Sequence, residues 1–156
     1  MTMRPKRIAI LDGPNLNKIG VREPHIYGTT PVVERIEVLK STFPDVLFYY
    51  RQSNHEGVLI DWLHELNEKE VLGIVLNAGA YTHTSIALAD AIRSIQIPVV
   101  EVHISNVAAR EEYRHHSYLS PVVVGTISGF GVYGYHLAVL ALLNKLSSNK
   151  HVEQIN

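Results

Sequence analysis

Short, continuously apolar runs alternate along this chain with longer stretches in which apolar residues return every three or four positions. Residues 7–11, 46–50, 72–76, 98–104 and 122–127 are of the first kind, rich in Val and Ile, and predict strands. They are too continuously apolar for exposure on one face, so burial on both sheet faces is expected, as in parallel sheets. Residues 31–43 bring Val32, Ile36, Leu39 and Phe43 onto one helical face, with Thr30 expected as N-cap and Pro31 at the first helical position. Residues 57–68 present Leu59, Trp62, Leu63 and Leu66, and residues 84–95 present Ile86, Ala89 and Ile92, so both predict amphipathic helices. A short helix over 106–113 and a last one over 131–146 complete the alternation. It specifies an α/β fold, a doubly wound five-stranded parallel sheet, in a single domain over residues 1–156 with no repeat or linker.

One connection breaks the rhythm. Between the first strand and first helix lie nearly twenty residues, GPNLNKIGVREPHIYGTT, and a loop that long in a compact domain is functional or disordered. Two prolines, Gly13, Gly20 and Gly28 supply turn chemistry in place of low-complexity bias, which favours function. Arg22 and Tyr27 within it have a specific use, because a guanidinium beside a phenol favours phenolate and makes tyrosine a base. These polar motifs sit at carboxyl ends of strands: GPNLN follows the first, NAGAYTH the third and SGFG the fifth, and HISN ends the fourth. Carboxyl ends of strands are where open α/β sheets bind ligands, so one pocket can gather them.

Composition narrows the partner. The chain has 156 residues, 46% hydrophobic and 19% charged, and 14 Lys plus Arg against 15 Asp plus Glu give a formal charge of -1. No broad basic surface argues for nucleic acid or an anionic membrane, and a small molecule is expected. The absence of cysteine removes disulfides, thiolate metal sites and cysteine nucleophiles together. No secretory signal precedes the first strand, and no apolar run approaches the ~20 residues of a membrane span, so a cytoplasmic location is expected.

Individual motifs carry competing readings. Glu101 and His103, two apart on a strand, share a face, where a carboxylate can orient an imidazole acid; two polar residues at a strand end would look the same. His83 and Asp90 lie seven apart and can share a helix face, or serve capping and solubility. Asn77, followed by Ala78 and Gly79, is placed for ligand contact, since small residues let backbone amides approach an anion. Arg110 and Arg114, one helical turn apart with Glu111 and Glu112 between, read by spacing as a solvated, salt-bridged face. Adjacent His115 and His116 lack metal-ligand spacing, and no metal site is expected. Gly129 to Gly134 spell a literal GxGxxG, but it precedes the last helix, so no later strand can present a ribose-binding acid, and close helix-to-sheet packing is the expected reason for the glycines.

Five blocks, in order, resemble the type II 3-dehydroquinate dehydratases: GPNLN-x2-G-x-RE-P-x2-YG, then NAGAYTHTS, EVHISN, ARE-x-YRHHSY and GTISGFGVYGY. The resemblance covers nearly the whole chain. It implies a flavodoxin-like fold and dehydration of 3-dehydroquinate to 3-dehydroshikimate through an enolate, without metal or cofactor. Carried over, Tyr27 is the base and Arg22 holds it as phenolate, Asn15 with a water steadies the enolate oxygen, and His103, oriented by Glu101, is the acid. Asn77 with the backbone around Ile104 and Ser105 matches the carboxylate site, while His83 and Arg114 match hydroxyl contacts. Asp90 matches a residue supplied by a neighbouring subunit, which implies a trimer-based homo-oligomer, by family habit a dodecamer. The loop bearing Arg22 and Tyr27 would be a lid. Lys18, Ile19 and Val21 are less usual fillers of the first block, and Tyr113 stands where phenylalanine is commoner. The rival class, a flavodoxin-like module holding a flavin or nucleotide without catalysis, would need neither the Tyr-Arg pair nor Glu-x-His.

Overall fold

The structure, a computed structural model, describes residues 5–153, with side chains of the last helix described as far as residue 145. Five strands, β1 (Lys6–Asp12), β2 (Val46–Gln52), β3 (Gly73–Asn77), β4 (Val99–His103) and β5 (Gly125–Ser128), form one sheet in the order β2-β1-β3-β4-β5. Every pairing is parallel, which is the flavodoxin-like doubly wound order. The helices are α1 (Pro24–Tyr27), α2 (Val32–Thr42), α3 (Glu56–Glu68), α4 (Ile86–Ser94) and α5 (Tyr133–Glu153).

Strand alternation divides the core into two layers. Ile8, Ile10, Val75, Val100 and Val102 pack with Ile36 and Leu39 of α2 and Tyr135, Val139 and Leu142 of α5. Ala9, Leu11, Ile74, Leu76 and Val99 pack on the other face with Leu59, Leu63 and Leu66 of α3 and Leu88 and Ile92 of α4. The central strands β3 and β4 are buried throughout, including the polar Asn77, Glu101 and His103 toward their carboxyl ends. The expectation fails for the two edge strands. Leu47 and Tyr49 of β2 are exposed, and so are Gly125 and Thr126 of β5, because an edge strand has a neighbour on one side only.

Several boundaries move for identifiable reasons. Helix α2 begins at Val32 with Pro31 itself as N-cap, so Thr30 is not the cap. Helix α4 begins after Ser85, whose Oγ accepts from the Leu88 N–H at 2.9 Å. His83 therefore ends a separate 3-10 turn (Gly79–His83) and does not share a helix face with Asp90. The helix expected over 106–113 is two 3-10 turns, Val107–Ala109 and Glu112–Arg114, with Arg110 extended between them. The strand start expected at 122 is a turn too, Ser120–Val122, with Pro121 in its first positions, and β5 begins at Gly125. Among the described residues no helix is long and apolar enough to cross a membrane.

Candidate active site

The carboxyl ends of β1 and β3 lie side by side, Asp12 against Asn77 in the ladder, and the Gly13 N–H donates to Asn77 O at 2.7 Å. A Cβ on Gly13 would stand 2.5 Å from Ala78 O, so only glycine lets these loops touch. The chain then turns at Asn15, whose φ of 68° is left-handed, a region asparagine tolerates better than most residues. The end of β2 braces this turn: Asn15 N donates to Asn54 Oδ1 at 3.0 Å, and Gln52 Nε2 donates to Gly13 O at 3.2 Å. The long loop is ordered by its own apolar residues, since Leu16, Ile19 and Tyr27 are buried in the core layer under α2 and α5.

Tyr27 closes the single turn of α1, and its ring is almost wholly buried. Arg22 Nη2 donates to its Oη at 3.2 Å, as the loop composition suggests. A second guanidinium stands closer: Arg110 Nη1 donates to the same Oη at 2.8 Å and to Ser105 Oγ at 3.2 Å. Arg110 is also the more buried cation, its side chain 11% exposed against 30% for Arg22. The spacing of Arg110 and Arg114 points to a solvated face, and the structure corrects this. With the helix broken into two turns, both side chains reach the cavity, although Arg114 still pairs with Glu111 at 2.9 Å.

Across the cavity, His103 ends β4 and its Nε2 meets Glu101 Oε1 at 2.7 Å. Glu101 is inaccessible to solvent, yet it accepts hydrogen bonds from Ser120 at 2.6 Å, Ser117 at 2.8 Å, and Thr82 and Thr126 each at 3.1 Å. Burial pushes its pKa up, but the imidazole and the hydroxyls outweigh burial and bring it down to about 2. The ionised carboxylate can only accept, so Nε2 carries the proton of that bond and Nδ1 is left to exchange a proton with a ligand. The two-apart spacing does put the two side chains on one face, where they share this bond.

His83 stacks on His103, ring centroids 6.2 Å apart. Its Nδ1 lies 2.7 Å from His116 O, and a carbonyl cannot donate, so Nδ1 holds the proton and Nε2 is the acceptor of the neutral ring. Burial, more than any neighbour, lowers its pKa and favours that neutral form. Asn77 presents its amide at the cavity floor, between Tyr135 Oη and the Gly79 N–H. These side chains, with Asn15, Arg22, Tyr27, Ile104 and Ser105, line one cavity of about 230 Å³. Asp90 is not among them. It lies exposed on α4, paired with Arg93 at 3.0 Å.

Sequence reasoning missed three features. Arg110 had only its four-residue spacing from Arg114 as a signal, and that spacing misled. The hydroxyls around Glu101 come from three separate segments, and no motif joins them. Buried Asp12 fell just past the strand expected over 7–11, and nothing in its neighbours marked it. The GxGxxG, by contrast, behaves as expected of a packing element: a Cβ on Gly134 would stand 3.3 Å from Val102, while the Gly129 and Gly131 N–H groups donate to His103 O and Ile104 O. Amides so engaged cannot cradle a phosphate. Among the described residues no group of three or more His, Asp or Glu is placed to hold a metal ion.

Fold and site together define a flavodoxin-like α/β enzyme whose ionisable and amide side chains gather at the carboxyl end of the sheet. Residues 6–143 match the family model described as Dehydroquinase class II. A 3-dehydroquinate dehydratase of Variovorax paradoxus (strain S110) is 55% identical over 144 residues, covering 88% of this chain and 99% of the relative. Another from Rhodopseudomonas palustris (strain HaA2) is 50% identical over 147 residues, covering 93% and 97%. The crystal structure of a type II dehydroquinase from Butyrivibrio crossotus DSM 2876 superposes with a TM-score of 0.84 at 43% identity, over 88% of this chain and 97% of that one. The chain belongs to the class II dehydroquinase family.

Proposed function

We propose that this chain is a single catalytic domain that dehydrates 3-dehydroquinate to 3-dehydroshikimate, the third step of the shikimate route to chorismate, with Tyr27 as base and His103 as acid. The observation that carries this reading is the pairing of opposites across one cavity: a phenol oxygen held by two guanidiniums faces an imidazole backed by an ionised carboxylate. Tyr27 Oη, as phenolate, takes a proton from C2 of the substrate, and the C–H electrons move into the C3 carbonyl to give an enolate. Arg22 and Arg110 meet the negative charge on Oη, and Asn15 with a water steadies the enolate oxygen. The enolate then collapses, the C1–C2 double bond forms, and the C1 hydroxyl leaves with the His103 proton as water. Glu101 holds His103 in the orientation this needs. Asn77 and the backbone at Ile104 and Ser105 take the substrate carboxylate, while His83 Nε2 and Arg114 take ring hydroxyls.

No metal, cofactor or covalent intermediate enters these steps. The location proposed is the cytoplasm. Exposed Asp90 is proposed to complete the site of an adjacent subunit in a trimer, four of which make a dodecamer. Purified protein supplied with 3-dehydroquinate should generate the ultraviolet absorbance of a conjugated enone, and a protein that leaves the substrate unchanged would refute the assignment. Borohydride added during turnover should leave no substrate adduct on the chain, whereas a stable adduct with lost activity would replace the enolate with a Schiff base.

A further inference from the structure

One buried acid takes no part in that chemistry. Asp12, the last residue of β1, is inaccessible to solvent and sits between two phenols: Tyr135 Oη donates to Oδ1 at 2.6 Å and Tyr50 Oη donates to Oδ2 at 2.8 Å. Tyr135, also inaccessible, in turn accepts from Asn77 Nδ2 at 3.0 Å. We infer that Asp12 and Tyr135 are positioning residues: together they fix the orientation of the Asn77 amide so that it offers an N–H to an anionic group of the ligand. This rests on the proposed contact between Asn77 and the substrate carboxylate.

The direction of the chain of bonds follows from proton counting. A phenol has one proton, and at 2.6 Å Asp12 Oδ1 takes it. Tyr135 therefore turns only lone pairs toward Asn77, and Nδ2 must face it. The other end of the amide is set the same way, because the Gly79 N–H donates to Asn77 Oδ1 at 3.2 Å. One N–H of Nδ2 remains, on a residue that lines the cavity. Were Asp12 absent, the Tyr135 O–H could turn and donate to the Oδ1 of a flipped Asn77 amide, which would set a carbonyl lone pair against a carboxylate.

Ionisation of Asp12 does not alter this direction. Burial, opposed by the two phenols, pushes its pKa up to about 7. When Asp12 is neutral, Oδ2 can carry the proton and donate to Tyr50, a half-buried phenol at the edge strand, while Oδ1 still accepts from Tyr135. An asparagine at this position would mimic the neutral acid, with Nδ2 donating toward Tyr50 and Oδ1 accepting from Tyr135.

Steady-state kinetics with 3-dehydroquinate on Tyr135→Phe, Asp12→Ala, Asp12→Asn, Asn77→Ala and the Tyr135→Phe/Asn77→Ala double variant, each checked for a cooperative melt, test the inference. Removing one partner of a buried hydrogen bond to a binding group should raise KM roughly tenfold in Tyr135→Phe and Asp12→Ala, with kcat within about threefold of wild type. Asp12→Asn should restore the wild-type KM, and the double variant should be no worse than Asn77→Ala alone. If Tyr135→Phe does not fold, Asp12→Ala, which keeps the phenol and removes its acceptor, carries the same comparison with Asp12→Asn. A wild-type KM in the folded Tyr135→Phe or Asp12→Ala variant, an Asp12→Asn as impaired as Asp12→Ala, or effects of Tyr135→Phe and Asn77→Ala that multiply would overturn it. Inactivity of the wild-type protein on 3-dehydroquinate would instead refute the proposed function.

Discussion

Asp12 and Glu101 are both fully buried carboxylates near the carboxyl end of the sheet, and strand alternation puts them on opposite faces. Their affinities for a proton move in opposite directions, up to about 7 for Asp12 and down to about 2 for Glu101. Burial raises both, so the donors decide. Glu101 has four hydroxyls and the His103 imidazole around it, whereas Asp12 has two phenols. The phenols themselves repeat the contrast. Tyr135 gives its proton to a carboxylate and is pushed well above its ordinary range, first by burial and then by the Asp12 charge; Tyr27 receives two guanidinium hydrogen bonds. On the proposed function, Asp12 and Tyr135 support the site from below while Tyr27 and His103 transfer protons in the cavity.

The sharpest way to break this distinction is to remove the same oxygen from each tyrosine. Tyr27→Phe should lose kcat by more than the ~10²–10⁴-fold typical of a general acid or base, with KM nearly kept. Tyr135→Phe should keep kcat. Equal losses of kcat in the two variants would erase the contrast. Removing charge from each acid comes next: Glu101→Gln should lower kcat by roughly 10²-fold or more, since His103 loses its orienting carboxylate, while Asp12→Asn stays within a few-fold. A fully active Glu101→Gln enzyme would reduce Glu101 to a packing residue.

Arg110 and Arg22 offer a smaller comparison at one oxygen. Both alanine variants should lose kcat, on the order of 10–100-fold, and Arg110→Ala should lose more, because its hydrogen bond is shorter and less exposed to water. The reverse order in single-turnover rates would return the leading role to Arg22. Asp90 enters through mixing: Tyr27→Phe and Asp90→Ala chains, each poor alone, should regain about a quarter of wild-type activity when refolded together, if trimers share sites. No gain after subunit exchange is verified by mass would place Asp90 outside a shared site.

The least dramatic effect is on stability. A raised carboxyl pKa means the native state holds a proton that the unfolded chain releases near pH 4, so the contribution of Asp12 is present below that pH and fades as pH rises toward about 7. Relative to wild type, Asp12→Asn should lose this decline, a difference in slope of at most ~1.4 kcal/mol per pH unit between about pH 4 and 7. Glu101 acts with the opposite sign, its stabilisation present above pH 4.5 and lost as pH falls toward about 2. Denaturant midpoints of wild type and Asp12→Asn across pH 4–8 measure the first effect, and identical profiles would contradict the raised pKa.

Period and order along the chain determined the sheet, its five strands and its parallel sense, because short apolar runs alternating with amphipathic helical stretches fit crossover connections between parallel strands. Spacing determined the Glu101–His103 pair, since two residues apart on a strand is one face whatever surrounds it. Local sequence also marked the loop that carries Arg22 and Tyr27. It could not reveal what depends on long-range closure. Arg110 reaches Tyr27 across 83 positions only because an expected helix breaks into two turns. Tyr135 reaches Asp12 across 123 positions because α5 packs over the neighbouring strands β3 and β4 and its phenol extends to the end of β1, and the hydroxyls that hold Glu101 arrive from residues 82, 117, 120 and 126. A proton's preference depends on every donor and every lost water around a group, and those are assembled by tertiary packing, not by neighbours in the chain.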